Sequence, residues 1–518
     1  MSPEQVYAKR WWTLGVLCVS LLVVGLDNTI LNVAIPTLQE RLGATQGQIE
    51  WIIDSYVLVF AGLLLTMGAL GDRFGRRRAL TQGLLVFGAG SVVSAFSGSA
   101  SVLIASRALM GVGAALIMPS TLSILTNVFP AKERGRAIAI WAGVSGLGIG
   151  IGPIAGGLLL EHFWWGAVFL VNVPVVVAAI AAGRFLVPES RDENASRLDP
   201  LGALLSIAAL TAIVFAIIEA PIRGWTSPVT LGSFAAGLVL LGFFVAGEAR
   251  SDHPMLPVEF FANPRFSAGS GAVTLAFFAL FGTTLLLTQY QQIVRGYSAL
   301  AAGVRVLPVA LALVVFAPNS AKLAARFGTK RVVASGLTVL SVTLASLRLF
   351  EVGTPYWKLG VVYFFMGAGM AHVVAPSTEA IMGALPRNRA GIGSAVNDTT
   401  RQVGGALGVA ILGSLLHSAY ASHIAPVLAA IPAERRAEAS DSIVKTMKVA
   451  RETMGSGAGP VIDGARVAFT DAMGTVALVA AAFALLGAVA VALFLPAQGR
   501  DEAAELAGLG LPEHEVVG

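Results

Sequence analysis

The stretch Gly68-Ala-Leu-Gly-Asp-Arg-Phe-Gly-Arg-Arg-Arg78 separates two apolar runs, residues 49–70 and 79–97. A run of about 20 apolar residues is long enough to cross the hydrocarbon core of a bilayer as a helix. Basic residues in a short loop between two such runs set their orientation in the membrane. Orientation needs the positive charges but neither Asp72 nor the glycines, which indicates a second role for this loop.

Apolar runs of this kind recur along the whole chain. Of the 518 residues, 56% are hydrophobic and 13% are charged, whereas soluble domains carry about 25% charged residues. We therefore predict an all-α polytopic membrane protein with fourteen transmembrane helices. Their approximate limits are 12–36, 49–70, 79–97, 101–126, 136–160, 164–187, 199–219, 229–248, 266–289, 299–321, 331–350, 357–384, 391–417 and 473–495.

Lys and Arg predict the orientation of these spans. They concentrate in the loops after even-numbered spans, and the N-terminal tail carries Lys9 and Arg10. The positive-inside rule then places both termini in the cytoplasm, and we expect the long loop 418–472 outside. The net charge of +5 follows from these loops and does not indicate nucleic-acid binding. Because Cys18 is the only cysteine, the chain has no intrachain disulfide or cysteine metal cage, and we expect no metal and no cofactor.

An internal repeat divides the chain. Arg73-Phe74-Gly75 recurs at 326–328, an offset of 253, and glycines of spans 4 and 5 recur in spans 12 and 13 at an offset of 256. Spans 1–6 thus match spans 9–14, while spans 7 and 8 belong to neither half. A parallel repeat of two six-helix halves is typical of transporters whose substrate site lies between the halves. The predicted domains are a first bundle at 1–190, two extra helices at 191–260, a second bundle at 261–500 and a cytoplasmic tail at 501–518.

Several ordered motifs resemble those of one transporter family. Gly68–Leu80 resembles the G-x-L-x-D-R-x-G-R-R-x-x-L signature of the major facilitator superfamily. Leu26–Pro36 resembles the first-helix signature of its fourteen-span drug:H⁺ antiporters. Matches in spans 4, 5 and 6 are Arg107 with Gly111 and Gly113; Gly148, Gly152, Pro153, Gly156 and Gly157; and Phe169–Pro174.

The chain departs from the family pattern at four places. Met110 replaces the usual glutamine of the fourth-helix signature, and Trp165-Gly166-Ala167 replaces a Trp-Arg-Trp opening. In the second half, Ala325 maps onto Asp72 and Tyr363 onto Arg107. The resemblance thus implies the major facilitator fold throughout, but a gating aspartate and a coupling arginine in the first half only.

The loop between spans 2 and 3 is predicted to be a gate. Asp72 can pair with an arginine or face a helix N-terminus, and glycine allows tight turns and close helix approach. Such contacts would form in one conformation and break in another; the alternative is a loop that only sets topology. The gate residues are Gly68, Gly71, Asp72, Arg73, Gly75, Arg76 and Arg77.

Three ionisable residues lie at similar depth inside first-half spans: Asp27, Asp54 and Arg107. A charged group at that depth costs at least ~2.5–3.5 kcal/mol, which favours a functional role. We predict that Asp27 is the main protonation site, that Asp54 is a second carboxylate for protons or cationic substrate, and that Arg107 tunes both. The resemblance supports these roles. The alternative is a static buried ion pair that only fixes packing.

The glycine-rich stretch Ser145–Gly157 contains a G-x-G-x-x-A spacing from Gly150 to Ala155. A dinucleotide fingerprint needs a preceding strand, but this stretch lies inside an apolar span. Gly148, Gly152 and Gly156 recur every four residues, Gly157 follows them, and Pro153 can bend the helix. We expect an antiporter seam pressed against the other half at span 10; the alternative is a passive packing seam.

The second half offers a possible polar site. Asp398 and Arg401 are spaced to pair on one helix face, either as a local salt bridge or as substrate ligands, with His372 and Glu379 on span 12. Aromatic residues are candidates for the wall of a cavity that binds lipophilic cations. They are Trp51, Tyr56, Trp141, Phe277, Phe278, Phe281 and Tyr290.

These features together predict a proton-coupled antiporter that exports lipophilic, often cationic, drugs or toxic compounds. The alternative cargo is an endogenous lipid or a secreted metabolite. The chain has no HExxH and no P-loop, which argues against an enzyme, and the repeat argues against a channel or receptor. The expected partners are small-molecule substrates, protons and the bilayer, with no nucleic acid. We expect a monomer in the inner membrane.

Overall fold

The fold is all-helical throughout the part of the chain that the structure, a computed structural model, describes: residues 3–191, 199–251, 254, 258–384 and 390–496. The first half contains α1 Pro3–Leu42, α2 Gln46–Phe74, α3 Arg76–Ala95, α4 Ala100–Val128, α5 Ala131–His162, α6 Ala167–Leu170 and α7 Asn172–Leu186. The two extra helices are α8 Pro200–Arg223 and α9 Pro228–Arg250. The predicted tail 501–518 lies outside the described residues.

The second half follows the same plan with two additions. It contains α10 Pro264–Gln289, α11 Ala299–Val304, α12 Leu307–Phe327, α13 Thr329–Ala345, α14 Tyr356–Gly383, α15 Ala390–Ile424, α16 Arg436–Ser440, α17 Ile443–Met454 and α18 Gly459–Phe494. A π-helical turn, Tyr290–Val294, extends α10. Short 3₁₀ turns lie at Val258–Ala262, Ser346–Leu349, Val427–Ala430, Ala433–Arg435 and Gly455–Ala458.

Twelve helical segments of the described residues are long and apolar enough to cross a membrane, by length and composition. The other two long helices are α3 and α5, of 20 and 32 residues. Both begin among charged residues, since α3 opens with Arg76–Arg78 and α5 with Lys132–Arg134. The fourteen segments follow the order of the fourteen predicted spans, which confirms the predicted fold class.

Helix packing repeats in the two halves. In the first, α1 packs on α5, α2 on α4 and α3 on α4; in the second, α10 packs on α15, α12 on α14 and α13 on α14. A Cβ atom built on Gly83 would lie 2.9 Å from the carbonyl oxygen of Gly113, and one on Gly336 would lie 2.9 Å from that of Gly369. The sequence repeat is therefore a repeat of close helix crossings.

The extra helix α8 contacts both halves. It packs on α2 and on α15, and α9 packs on α8. A Cβ atom on Gly62 of α2 would collide with the side chain of Ile207 in α8, and Ser414 Oγ of α15 donates a hydrogen bond to the carbonyl oxygen of Ile217 at 2.7 Å. Thus α8 lies beside the contact of α2 with α15, while much of α9 is exposed at the periphery.

Three predicted segments differ from the structure. Span 10 is interrupted between α11 and α12 at Arg305–Val306, and span 6 is divided into α6 and α7. The predicted loop 418–472 is largely helical, because α15 runs on to Ile424, α18 begins at Gly459, and α16 and α17 lie between them. Apolar patterning does not reveal these last helices, since the exposed residues of α17 are polar.

We call the end of the bundle at which α1 begins the N-terminal face and the other end the opposite face. Three contacts between the halves lie toward the opposite face. Gln292 Nε2 donates to the carbonyl oxygen of Val33 at 2.8 Å. A Cβ atom on Gly413 would lie 2.5 Å from Glu50 Oε1, and one on Gly157 would lie 2.6 Å from Leu300 N. In this conformation the halves are therefore closed together at the opposite face.

Candidate functional site

Asp27 and Arg107 form a buried ion pair. Asp27 lies on α1 and Arg107 on α4, and each is 1% exposed. Arg107 Nη1 donates a hydrogen bond to Asp27 Oδ2. Two helices that are not adjacent in sequence are thereby joined by opposite charges in the interior of the first half.

Neighbouring groups contact both members of this pair. Asn172 Nδ2, at the start of α7, donates to Asp27 Oδ1 at 3.1 Å. Arg107 Nε donates to the carbonyl oxygen of Ile52 at 3.2 Å, and the guanidinium lies over the ring of Tyr56 at 4.4 Å. A buried charge is tolerated when it is paired and hydrogen-bonded. The site therefore joins α1, α2, α4 and α7 through one pair of charges.

Asp54 lies apart from this pair. Its carboxyl group is fully buried, and neither oxygen accepts a hydrogen bond from the residues that the structure describes. Its charged neighbour is Glu50, one helical turn earlier on α2. The three predicted residues thus do not form one cluster: Asp27 and Arg107 form an ion pair, whereas Asp54 lies near Glu50, a fourth residue that was not predicted.

The glycine-rich helix α5 packs against two different elements. Cβ atoms on Gly148 and Gly156 would touch the backbone of Gly25 and Ile30 in α1, and one on Gly152 would collide with Thr29. The face that the three glycines share is thus turned toward α1 of the same half. This face makes the predicted close helix contact, but it makes it with α1 and not with span 10 of the other half.

Contact of α5 with the other half is made by Pro153 and Gly157. A Cβ atom on Gly157 would collide with Leu300 in α11, and one on Gly303 would collide with the carbonyl group of Pro153. The expected partner, span 10, is therefore reached through its first segment, α11. Because Thr29 Oγ1 donates to the carbonyl oxygen of Gly148 at 2.8 Å, α1 and α5 are linked two residues beyond Asp27.

The loop between α2 and α3 is held by two acidic residues. Asp72 Oδ1 accepts from Arg76 Nε at 2.6 Å. Glu189, which follows α7, accepts from the backbone N–H of Arg77 at 3.1 Å and lies 3.6 Å and 3.8 Å from the guanidinium Nε atoms of Arg77 and Arg78. The loop is therefore tied to the chain that leaves α7.

The glycines of this loop permit tight contacts. Gly75 has φ +119°, a conformation that side chains rarely adopt, and its Cβ atom would lie 2.8 Å from Glu189 Oε1. Cβ atoms on Gly68 and Gly71 would lie 3.2 Å from Pro119 Cβ and 3.3 Å from Ser120 Oγ of α4. The Arg73 guanidinium lies 5.6 Å from the ring centre of Phe74. These contacts pack the loop on α4 and on the segment after α7.

The second half contains a partly exposed polar and aromatic cluster. Arg401 Nη1 lies 3.8 Å from Asp398 Oδ1, and Arg401 Nη2 donates to Thr378 Oγ1 at 3.3 Å. The Arg401 guanidinium also lies 5.6 Å from the ring centre of Phe277, which stacks on Phe281 at 6.0 Å. This cluster joins α10, α14 and α15.

His372 and Glu379 are placed differently from that cluster. His372 Nδ1 lies 2.7 Å from the carbonyl oxygen of Ala368, and its ring lies 5.6 Å from that of Phe316. Glu379 is exposed. His372 therefore makes packing contacts within α12 and α14.

The predicted cavity aromatics have separate environments. Trp51 lies against Phe215 of α8 at 6.3 Å between ring centres, and Tyr290 donates to the carbonyl oxygen of Glu351 at 2.8 Å. Trp141 Nε1 donates to Thr121 Oγ1 at 3.2 Å, and Phe278 packs on Phe483 at 4.7 Å. The ring of Tyr56 contacts the Arg107 guanidinium. Only Phe277 and Phe281 adjoin the second-half polar cluster.

Sequence reasoning missed three polar partners. Asn172 is the only amide in an otherwise apolar stretch of span 6, a signal of the same kind as Asp27. Glu50 lies one turn before Asp54, which could have suggested a carboxyl pair. Glu189 lies in a loop, and no sequence pattern connects it to Arg77.

Comparison with known proteins gives a consistent result. The family model described as "Major Facilitator Superfamily" matches residues 17–409. The chain is 36% identical to "Multidrug efflux pump LfrA" of Mycolicibacterium smegmatis, with 95% of this chain and 97% of that protein covered. It is 34% identical to "Methyl viologen resistance protein SmvA" of Salmonella typhimurium, with coverages of 89% and 93%. It is also 34% identical to "Tetracenomycin C resistance and export protein" of Streptomyces glaucescens, with coverages of 96% and 93%.

Solved structures share the fold at low sequence identity. A bacterial homologue of the human lysosomal transporter Spinster, titled as inward-facing and unoccupied, superposes with a TM-score of 0.63 at 17% identity, covering 95% of this chain and 99% of that one. A peptide transporter of the POT family gives 0.64 at 17% identity, with coverages of 94% and 98%. The family match and the efflux and resistance relatives show that the protein is a multi-pass membrane transporter rather than an enzyme. The chain belongs to the major facilitator superfamily.

Proposed function

We propose that this protein exports lipophilic, often cationic, compounds across the inner membrane in exchange for protons, as a monomer with both termini in the cytoplasm. The observation that carries the proposal is the buried Asp27–Arg107 pair, which also forms hydrogen bonds with Asn172 and the carbonyl oxygen of Ile52. A carboxylate held by a neighbouring arginine can exchange that partner for a proton. The names of the similar proteins, which are efflux and resistance proteins, support the export of drugs.

Protonation of Asp27 would remove one charge of the pair. The proton neutralises the carboxylate, whereas Arg107 keeps its contacts with Ile52 and Tyr56 on α2. The attraction between α1 and α4 then falls, and α1 becomes free to shift relative to α4. A membrane potential of 100 mV supplies about 2.3 kcal/mol for each charge that crosses the membrane.

Movement of α1 would reach the interface between the halves through α5. Thr29 of α1 is hydrogen-bonded to Gly148 of α5, and Pro153 and Gly157 of α5 touch α11. The tight glycine contacts allow little independent movement of these helices, because packed helices shift as units. Proton binding at Asp27 is thereby linked to opening and closing of the opposite face, which we place outside the cell.

The second-half cluster is the proposed substrate contact. Asp398 supplies a partly exposed carboxylate, and Phe277 and Phe281 supply aromatic faces. A flat lipophilic cation would gain both charge attraction and cation–π contact there. An endogenous lipid or secreted metabolite is the second candidate cargo, because an apolar compound could use the same aromatic contacts.

The test is uptake into inside-out membrane vesicles with an imposed pH gradient. Methyl viologen, a panel of cationic dyes and labelled lipids serve as probes. Wild-type vesicles should accumulate cationic probes, and Asp27→Asn should abolish the response to the gradient. Glu434→Gln is the matched control, since Glu434 is an exposed carboxylate between α15 and α17. Accumulation that survives collapse of both the pH gradient and the membrane potential would contradict the proposal.

A further inference from the structure

Glu50 lies at the contact between the two halves. It belongs to the second turn of α2, is 1% exposed, and faces Gly413 of α15. A Cβ atom on Gly413 would lie 2.5 Å from Glu50 Oε1 and 2.6 Å from its Cδ. Thus α15 presents bare backbone to the carboxyl group, and the opposite face closes directly over it. We call this contact of α2 with α15 the Glu50 seam.

Few hydrogen-bond donors reach the buried carboxyl group. Gln46 Nε2 donates to Glu50 Oε1 at 3.2 Å, and Gln46 Oε1 in turn accepts from Gln39 Nε2 at 3.1 Å. In the described part of the chain, Glu50 Oε2 accepts no hydrogen bond and no cationic side chain forms an ion pair with Glu50. One amide donor is a poor substitute for the water that an exposed carboxylate would have.

Acidic side chains near Glu50 also disfavour a negative charge on its carboxyl group. Asp54, on the same helix, and Asp441, before α17, are its acidic neighbours. Asp441 is paired with Lys445 of α17 at 3.2 Å, and His417 of α15 lies near both. Among the described residues, Lys445 is thus paired with Asp441, and Asp54 is the acidic neighbour without an ion-pair partner that a negative charge on Glu50 would meet.

We infer that Glu50 is a proton-operated lock on the opposite face: the Glu50 seam closes when this carboxyl group carries a proton and opens when the proton leaves. On opening, Glu50 meets solvent at the opposite face and loses its proton there. On closing, it takes a proton from the same solvent and is buried as a neutral acid. This proton returns to the side from which it came, so it is distinct from the proton that Asp27 exchanges.

The inference rests on the proposed proton-coupled export, and it adds a control by pH on one side of the membrane. Acidic solvent at the opposite face would favour closure and speed the return to the substrate-accepting state. One titrating group changes the ratio of open to closed molecules by up to about tenfold per pH unit. The conformational equilibrium can be measured without transport, so it is tested separately from the function.

The experiment measures distances across the opposite face. Spin labels are placed on Ser101→Cys and Lys358→Cys, which are exposed positions at the starts of α4 and α14, in a Cys18→Ser background. The purified full-length protein is reconstituted in lipid nanodiscs, and pulsed electron double resonance gives the distance distribution from pH 5 to pH 9. The labelled parent, Glu50→Gln and the matched control Glu434→Gln are compared.

In the parent and in Glu434→Gln, the long-distance fraction should grow as the pH rises. Glu50→Gln, a neutral isostere of the protonated acid, should shift the distribution toward the short distance and lose the part of the pH dependence that Glu50 supplies. The same measurement in an Asp27→Asn background separates the contribution of Glu50 from that of Asp27. Asp27→Asn alone should keep a pH-dependent distance, and the double variant Asp27→Asn/Glu50→Gln should lose it. A parent without pH dependence, a Glu50→Gln protein with unchanged pH dependence, or its loss with Asp27→Asn alone would each overturn the inference. Uncoupled transport in vesicles with normal distance changes would instead overturn the proposed function.

Discussion

At the level of single residues, Asn172 decides how firmly Asp27 is held. Its amide donates to Asp27 Oδ1, and the same Nδ2 lies 3.3 Å from Ser91 Oγ of α3. The amide therefore ties the charge pair of α1 and α4 to α7 and α3. A hydrogen bond to a charged group contributes about 1.5–3 kcal/mol, more than one between neutral groups.

Replacement of Asn172 by leucine should destabilise the protein by about 1.5–3 kcal/mol, because the volume is similar and the donor to Asp27 is lost. Thermal unfolding in detergent measures the effect. Asn319→Leu is the control, since Asn319 is exposed and donates only to its own helix, at Val315. In an Asp27→Asn background the loss at position 172 should shrink, as a double-mutant cycle requires. An equal loss in both backgrounds would show that Asn172 acts on packing and not on the charge of Asp27.

The sequence identified the two charged residues of this site but missed its amide partner, and elsewhere on α2 it missed Glu50; both omissions have a physical reason. Asp27 and Arg107 are conspicuous because each is a charge within an apolar run. Asn172 is neutral, and its effect depends on which helix it faces. Glu50 lies near the beginning of a predicted span, where a carboxylate would ordinarily reach water. Its burial depends on the approach of Gly413, which is 363 residues away in sequence.

At the level of elements, α5 is the link between the charge pair and the other half. Its glycines recur every four residues, which predicts a close helix contact but not the partner. The structure places Gly148, Gly152 and Gly156 against α1 and leaves Pro153 and Gly157 to contact α11. Spacing defines a face of a helix, whereas the neighbour on that face is set by the arrangement of all the helices.

Gly152→Leu should impair export while the protein still enters the membrane. A side chain at this position would collide with Thr29 and push α1 away from α5, so that movement near Asp27 no longer reaches α11. Dye efflux, with the amount of protein in the membrane measured in parallel, checks the expectation. Gly15→Leu is the control on α1, since a Cβ atom there meets nothing within 4 Å. Normal efflux by Gly152→Leu would show that this contact is dispensable.

At the level of the whole molecule, the two halves share packing but not charge. Arg107 of the first half corresponds to Tyr363 in the second, where Gln291 Nε2 donates to the tyrosine hydroxyl at 2.7 Å. The repeat could be predicted from the sequence because the close helix crossings require glycine at matching positions. The path of residues 418–472 could not be predicted from the sequence, because short amphipathic helices lack the apolar length that marks a span.

Equivalent crossings in the two halves should respond alike to the same substitution. A Cβ atom on Gly83 would lie 2.8 Å from Leu116 Cβ, and one on Gly336 would lie 2.8 Å from His372 Cβ. Because the obstruction is the same, Gly83→Val and Gly336→Val should each lower the free energy of unfolding by about 1–3 kcal/mol through overpacking. Thermal unfolding of both variants, compared with Gly271→Val at an unobstructed position of α10, provides the measurement. A large loss in one half with none in the other would show that the repeated glycines no longer serve equivalent crossings, and that the halves have diverged in packing as they have in charge.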